Sequence, residues 1–125
     1  MQSVFTEKAP APAGHYSQAV IHQGVVYVAG QLPIVPGQKE HQKGSIVEQT
    51  RQTLSNLDAI LLAAGSNREK VLRVTVYVSD VKHWPEVNAA YAEYFGTHWP
   101  ARTVVPVGTL HYGYDIELDA IAALS

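Results

Sequence analysis

Residues 71–107, VLRVTVYVSDVKHWPEVNAAYAEYFGTHWPARTVVPV, change hydrophobic period twice in one run. In Val71–Val78 the residues alternate: Val74, Val76 and Val78 share one face, while Arg73, Thr75 and Tyr77 share the other. A period of two marks a half-buried strand. From Asp80 or Val81 the period lengthens. Trp84, Val87, Tyr91 and Phe95 recur at steps of three and four, Pro85 lies in the first turn and Gly96 follows, which predicts a helix. Ala101–Val107 then returns to an apolar, β-branched strand pattern.

The flanking segments extend this alternation. Upstream, Ser45 and Glu48 form a capping-box pair before Val47, Leu54, Leu57, Ile60, Leu61 and Ala64, and Gly65 stops that helix. Earlier still, Ala19–Ile21 and Val25–Ala29 are short β-rich runs separated at Gln23-Gly24, which predicts a hairpin. Residues 1–14, with Pro10 and Pro12, read as an extended N-terminal arm. Downstream, Tyr114–Ala123 is a strand with Asp115, Glu117 and Asp119 on one face and Ile116, Leu118, Ala120 and Ala122 on the other.

The resulting order is β-β-α-β-α-β-β. It predicts an α+β two-layer sandwich, a mixed β-sheet with two helices packed on one face. The other face, which carries the acidic side of the last strand, meets either solvent or a wet subunit interface. No linker or repeat divides the chain, so residues 1–125 are expected to form a single domain.

Composition narrows the function classes. Charged residues make up 16% of the 125 positions, below the ~25% usual for globular domains, which suggests surface covered by another subunit. Nine Lys and Arg stand against eleven Asp and Glu with no basic stretch, so a counterion-releasing grip on nucleic acid is not expected. There is no cysteine, which excludes thiol nucleophiles, Cys-ligated zinc and disulfides. With no basic-then-apolar leader and no apolar run near ~20 residues, the expectation is a cytoplasmic protein with no membrane association.

Few residues advertise chemistry. The six histidines are scattered with no pair four apart, so no metal is expected. Arg102 opens an otherwise apolar strand, where burying its charge requires an anion. That anion is either a ligand carboxylate, which the guanidinium fork suits, or an internal partner among Asp115, Glu117 and Asp119. Gly30 closes the first hairpin, where the missing Cβ either admits a close approach or merely allows a bend. Tyr16 and Asn88 flank predicted element ends as candidate hydrogen-bonding residues.

Taken together, these segments resemble a known family. Gly14-His15-Tyr16-Ser17-Gln18-Ala19 resembles G-P-Y-S-Q-G, and Ala29-Gly30-Gln31-Leu32-Pro33 resembles S-G-Q-[IL]-P. Val87-Asn88-Ala89-Ala90-Tyr91 resembles V-N-x-x-Y, and Pro100-Ala101-Arg102-Thr103-Val104-Val105 resembles P-A-R-[ST]-x-V. Ile116–Ala122 resembles I-E-[IL]-E-A-[IV]-A. These are motifs of the Rid (YjgF/YER057c/UK114) family of reactive intermediate deaminases, and the match runs in order from about Ala11 to Leu124.

The resemblance implies a chorismate-mutase-like fold and a homotrimer with ligand clefts between subunits. It implies hydrolysis of 2-imino acids or their enamines, of the 2-iminopropanoate and 2-iminobutanoate type, to 2-keto acids and ammonia, with no cofactor. By resemblance, Arg102 holds the substrate carboxylate, Gly30 contacts substrate through its backbone, and Tyr16 and Asn88 line or support the cleft. Asp119 is set at the position of a glutamate that positions water or moves a proton. Three departures stand out: an aspartate one methylene shorter at 119, Val104 where cysteine is frequent, and Leu110-His111 in place of Leu-Pro. His111, with Tyr112 and Tyr114 nearby, is therefore a candidate for contacting a different substrate side chain. The shortened Asp119 also leaves open a non-catalytic protein that binds and senses a small keto acid or other carboxylate.

Overall fold

Gln23 and Gly24 both take positive φ, 50° and 77°, the backbone shape that lets a two-residue turn match the twist of its strands. They join β2 (Ala19–His22) to β3 (Val25–Gln31), which pair antiparallel with His22 opposite Val25. The computed structural model describes residues 1–125. Its remaining elements are β1 (Gln2–Val4), α1 (Ile46–Ala63), β4 (Val71–Val78), α2 (Trp84–Phe95), β5 (Ala101–Pro106) and β6 (Ile116–Ala123), with short 3-10 turns at Arg68–Lys70, Val81–His83 and His111–Gly113.

The strands form one mixed sheet in the order β1-β2-β3-β6-β4-β5. Only β4 and β5 pair in parallel, which requires the crossover that α2 supplies. Alternation sets the two faces. Ile116, Leu118, Ala120 and Ala122 of β6 and Val74, Val76 and Val78 of β4 are buried against the helices. From α1 come Leu54, Leu57, Ile60 and Leu61, and from α2 Val87, Tyr91 and Phe95. This is the expected α+β two-layer sandwich with both helices on one face. No helix is long and apolar enough to cross a membrane.

The structure differs from the sequence reading at several ends. The N-terminal arm is not an unpaired lead-in: Gln2–Val4 adds a strand against β2, and Val4 and Ala9 are buried in the core. Its next residues are held by buried Gln18, which accepts from the Thr6 amide at 2.7 Å and donates to the carbonyls of Thr6 and Pro10 at 3.0 and 2.9 Å. The second helix is preceded by a separate 3-10 turn, capped by Asp80 through the Lys82 amide, so α2 proper starts at Trp84. The Ser45–Glu48 capping box at the start of α1 is present in both directions.

The last strand begins at Ile116 rather than Tyr114, because α1 takes Asp115 for itself. The Asp115 amide donates to Gln49 Oε1 at 2.8 Å, and Gln49 Nε2 donates to the Asp115 carboxylate at 3.3 Å. Ser79 Oγ donates to it at 2.7 Å and Lys43 Nζ lies 3.0 Å away. Burial pushes this carboxyl up, but the hydrogen bonds from Ser79, Lys43 and Gln49, with the Lys43 charge, outweigh it and hold it below its ordinary 3.8. A carboxyl depressed on folding stabilises the fold above its unfolded value, and that stability is lost as pH falls through the folded one. Asp115→Ala is expected to cost about 1–3 kcal/mol at pH 7, since it strands the donors that converge there. In urea titrations the gap between variant and wild type should narrow as pH drops below about 4. A gap that stays constant down to acid pH would contradict this account.

Candidate active site

Antiparallel β3 and β6 slip register once. Val28 faces Ala120 but Gln31 faces Leu118, so β3 carries one extra residue at Ala29–Gly30. Such a bulge bends the strand and re-aims its neighbours. Here it seats Gly30 beneath the side chain of Glu117. A Cβ built on Gly30 would lie 2.5 Å from Glu117 Oε2, so the bare glycine is what lets the carboxylate rest there. Around this contact is an open cavity of about 440 Å³, lined among others by Tyr16, Gly30, Leu32, Ile34, His111, Tyr112 and Glu117, with Pro10, Ala11 and Ala13 of the arm.

Each wall is held from behind. The buried Asn56 of α1 donates to the carbonyls of Leu32 and Ile34 at 3.0 and 2.8 Å and so fixes the loop after β3. Gln31 Nε2 donates to the Ala29 carbonyl at 3.1 Å across the bulge. Tyr16 is about half exposed, and its hydroxyl accepts from the Ala13 amide at 3.4 Å. Burial pushes the Glu117 carboxyl above its ordinary 4.5; the nearby His111 opposes the shift and Asp119 adds to it.

Arg102 lies elsewhere. It sits on β5 opposite Val74, on the helix face of the sheet, and donates to Asn88 Oδ1 at 3.0 Å. Its guanidinium carbon lies over the rings of Trp84 and Tyr91, 4.5 and 4.8 Å from their centroids. Burial pushes the Tyr91 hydroxyl up to about 12, against the pull of Arg102. Arg102, Asn88, Tyr91, His98 and Trp99 line a second cavity of about 400 Å³. The internal ion pair to Asp115, Glu117 or Asp119 is absent. β4 separates β5 from β6, and Glu117 and Asp119 point from the opposite face, where they pair across from Tyr77 and Thr75.

The structure thus gathers Tyr16, Gly30 and His111 in one cavity and Arg102 with Asn88 in the other. Two of the expected residues line neither. Val104 is half buried and packs against the core. Asp119 accepts a hydrogen bond from the Tyr77 hydroxyl at 3.0 Å, which together with burial raises that phenol above its ordinary value. The carboxylate beside Gly30 is Glu117, so no one-methylene shortening applies at that position. Alternation places 117 and 119 on the same face, and only the bulge in β3 decides which of them meets Gly30. The first acidic residue of Ile116-Glu117-Leu118-Asp119 was the available signal. Asn56 carries no sequence signal of its role: a polar residue on an apolar helix face gives no hint of the loop that it clamps.

Comparison with known proteins agrees with this architecture. A family model described as Endoribonuclease L-PSP matches residues 6–124. A RutC family protein of Pyrococcus horikoshii is 48% identical over 95% of this chain and 94% of its own length. A 2-iminobutanoate/2-iminopropanoate deaminase of Capra hircus is 39% identical over 95% of this chain and 87% of its own. Among solved structures, YyfA of the conserved Rid protein family from Yersinia pestis superposes with a TM-score of 0.93 at 39% identity, over 98% of both chains. E. coli TdcF with bound serine superposes with a TM-score of 0.94 at 30% identity, over 100% of both chains. With the same sheet, the same helix layer and a match along nearly its whole length, the chain belongs to the Rid (YjgF, L-PSP) family.

Proposed function

We propose that the chain hydrolyses 2-imino acids to 2-keto acids and ammonia, as a homotrimer whose sites each draw on two subunits. The observation that carries this reading is the Glu117 carboxylate, seated over Gly30 in an open cavity and raised by burial toward the range of a useful general base. The second support is Arg102, a guanidinium at the sheet edge with no carboxylate partner of its own. The goat relative's name and the serine bound to TdcF, an amino acid with a carboxylate, point the same way.

Within one chain Arg102 and Glu117 lie on opposite faces of the sheet, so no single substrate reaches both. A trimer that covers the open sheet face resolves this by setting one copy's Arg102 against another's Glu117 cavity. Arg102 then holds the substrate carboxylate, oriented by Asn88. Water attacks C2 of the protonated imine and gives a proton to Glu117, forming a carbinolamine. Glu117 returns that proton to nitrogen, the C–N bond breaks, and the hydroxyl proton passes back to Glu117 as the keto group forms. Ammonia leaves with that proton. Every step uses water and one carboxylate, and no covalent enzyme intermediate is needed.

Two other readings carry less. With Glu117 as the cavity carboxylate, the length of Asp119 gives no ground for a purely binding protein. Ribonuclease action, which the family model's description suggests, calls for cations along a groove, and this cavity is lined by a carboxylate.

The experiment is a coupled assay in which an amino-acid oxidase generates imines and semicarbazide traps them. Wild type is expected to suppress semicarbazone formation. Arg102→Ala and Glu117→Gln should each lower kcat/KM by about 100-fold or more while remaining folded. The acid limb of the wild-type rate profile should lie above pH 4.5, the ordinary carboxylate value, because Glu117 is raised and must be ionised to accept the proton. Refolding the two variants together should restore about a quarter of wild-type activity, since random mixing leaves that share of two-chain sites intact. No recovery would rule out a site shared between copies. Gly30→Ala is expected to displace the Glu117 carboxylate and cost about tenfold in kcat with little change in Tm, because the atom that it strikes is the free end of a side chain.

A further inference from the structure

One wall of the Gly30–Glu117 cavity has no part in the hydrolysis just described. It is built by the turn His111–Gly113. Tyr112 takes a left-handed backbone there, φ 62° and ψ 16°, which a bulky side chain adopts only when its surroundings hold it. The holding contact is His41. The two rings stack face to face, with centroids 3.8 Å apart and planes 16° from parallel. Tyr114 closes edge-on against both, 5.9 Å from His41 and 6.3 Å from Tyr112, and its hydroxyl lies 3.3 Å from His41 Nδ1. His111 flanks the Tyr112 ring at 6.0 Å.

The outcome is a fixed aromatic ring with one face covered by His41. Tyr112 nevertheless remains 51% exposed and lines the cavity together with Leu32 and Ile34. A volume of about 440 Å³ falls within the range that accepts ligands much larger than a three-carbon acid. The cavity lining holds no lysine or arginine to receive an acidic side chain, and Glu117 stands against one.

Resting on the deaminase reading above, we propose that Tyr112 is the side-chain subsite of this cavity and selects 2-imino acids with a flat aromatic side chain over those with a small aliphatic one. An offset or edge-on ring pair at this wall, with the apolar area that it covers, supplies the discrimination. The His41 stack pre-positions Tyr112, which lowers the cost of ordering it on binding.

The test uses the intact assembled protein and two stable product keto acids, phenylpyruvate and pyruvate, measured by calorimetry. Turnover of the matching imines is measured in the trapping assay. Wild type is expected to bind phenylpyruvate about tenfold or more tightly than pyruvate. Tyr112→Gly relieves the left-handed backbone and should bring that ratio close to one, while Tyr112→Phe should keep it. Equal binding by wild type, a preference surviving in Tyr112→Gly, or a loss that merely follows a change in oligomer mass would each overturn the subsite. An aromatic preference in binding with no turnover of any imine would uphold the subsite and sink the deaminase reading instead.

Discussion

Strand β6 enters the sheet late, yet it lies between β3 and β4, and the two halves of the sheet join through its two edges. Its even-numbered residues from Ile116 to Ala122 are fully or almost fully buried beneath the helices. Its odd-numbered residues carry the carboxylates to the other side. Moving that strand by one residue would exchange the two sets and put Glu117 and Asp119 into the apolar layer. Core packing therefore fixes the register, and the register in turn fixes where the acid chemistry sits. Asp115, bound to Gln49 and Ser79 at the head of the strand, sets the point at which alternation begins.

The same two-sidedness separates the reactive groups. A parallel edge strand carries Arg102 on the helix side, and the bulge of β3 accepts Glu117 on the far side. The sheet between them is one residue layer thick and cannot be crossed by a small acid. Assembly is thus part of the proposed chemistry, because pairing copies is what brings the anchor to the base. The low charged fraction of the sequence accords with that proposal.

What could be read from sequence follows the range of the interaction. The Gln23-Gly24 turn, the Ser45–Glu48 box and the alternation of Val71–Val78 are local, and each has the structure its pattern predicts. Apart from the 3-10 turn that precedes α2, the differences are non-local. β1 is three residues long and has no pattern of its own; it exists through β2. The partner of Arg102 depended on which strands are neighbours, and β4 comes between. Choosing between Glu117 and Asp119 required a bulge in a strand some ninety residues away in sequence. His111, which the Leu110-His111 departure singled out, lines the cavity.

Gln18 has a consequence beyond tying down the arm. Its amide group binds Thr6 and Pro10, and the chain that runs on from Pro10 to Gly14 is one side of the Glu117 cavity. That wall is held by the Gln18 amide, by the buried Ala9 that precedes it and by the Ala13 amide bonded to the Tyr16 hydroxyl, rather than by a ladder of strand bonds. Its opening is therefore a local event with its own free energy, smaller than that of the core. The cavity thus has one side without strand pairing above a floor of paired strands. Amide exchange from Ala11 to Gly14 is therefore expected at a lower free energy than exchange from β3 and β6, so the two sides of one cavity belong to different cooperative units.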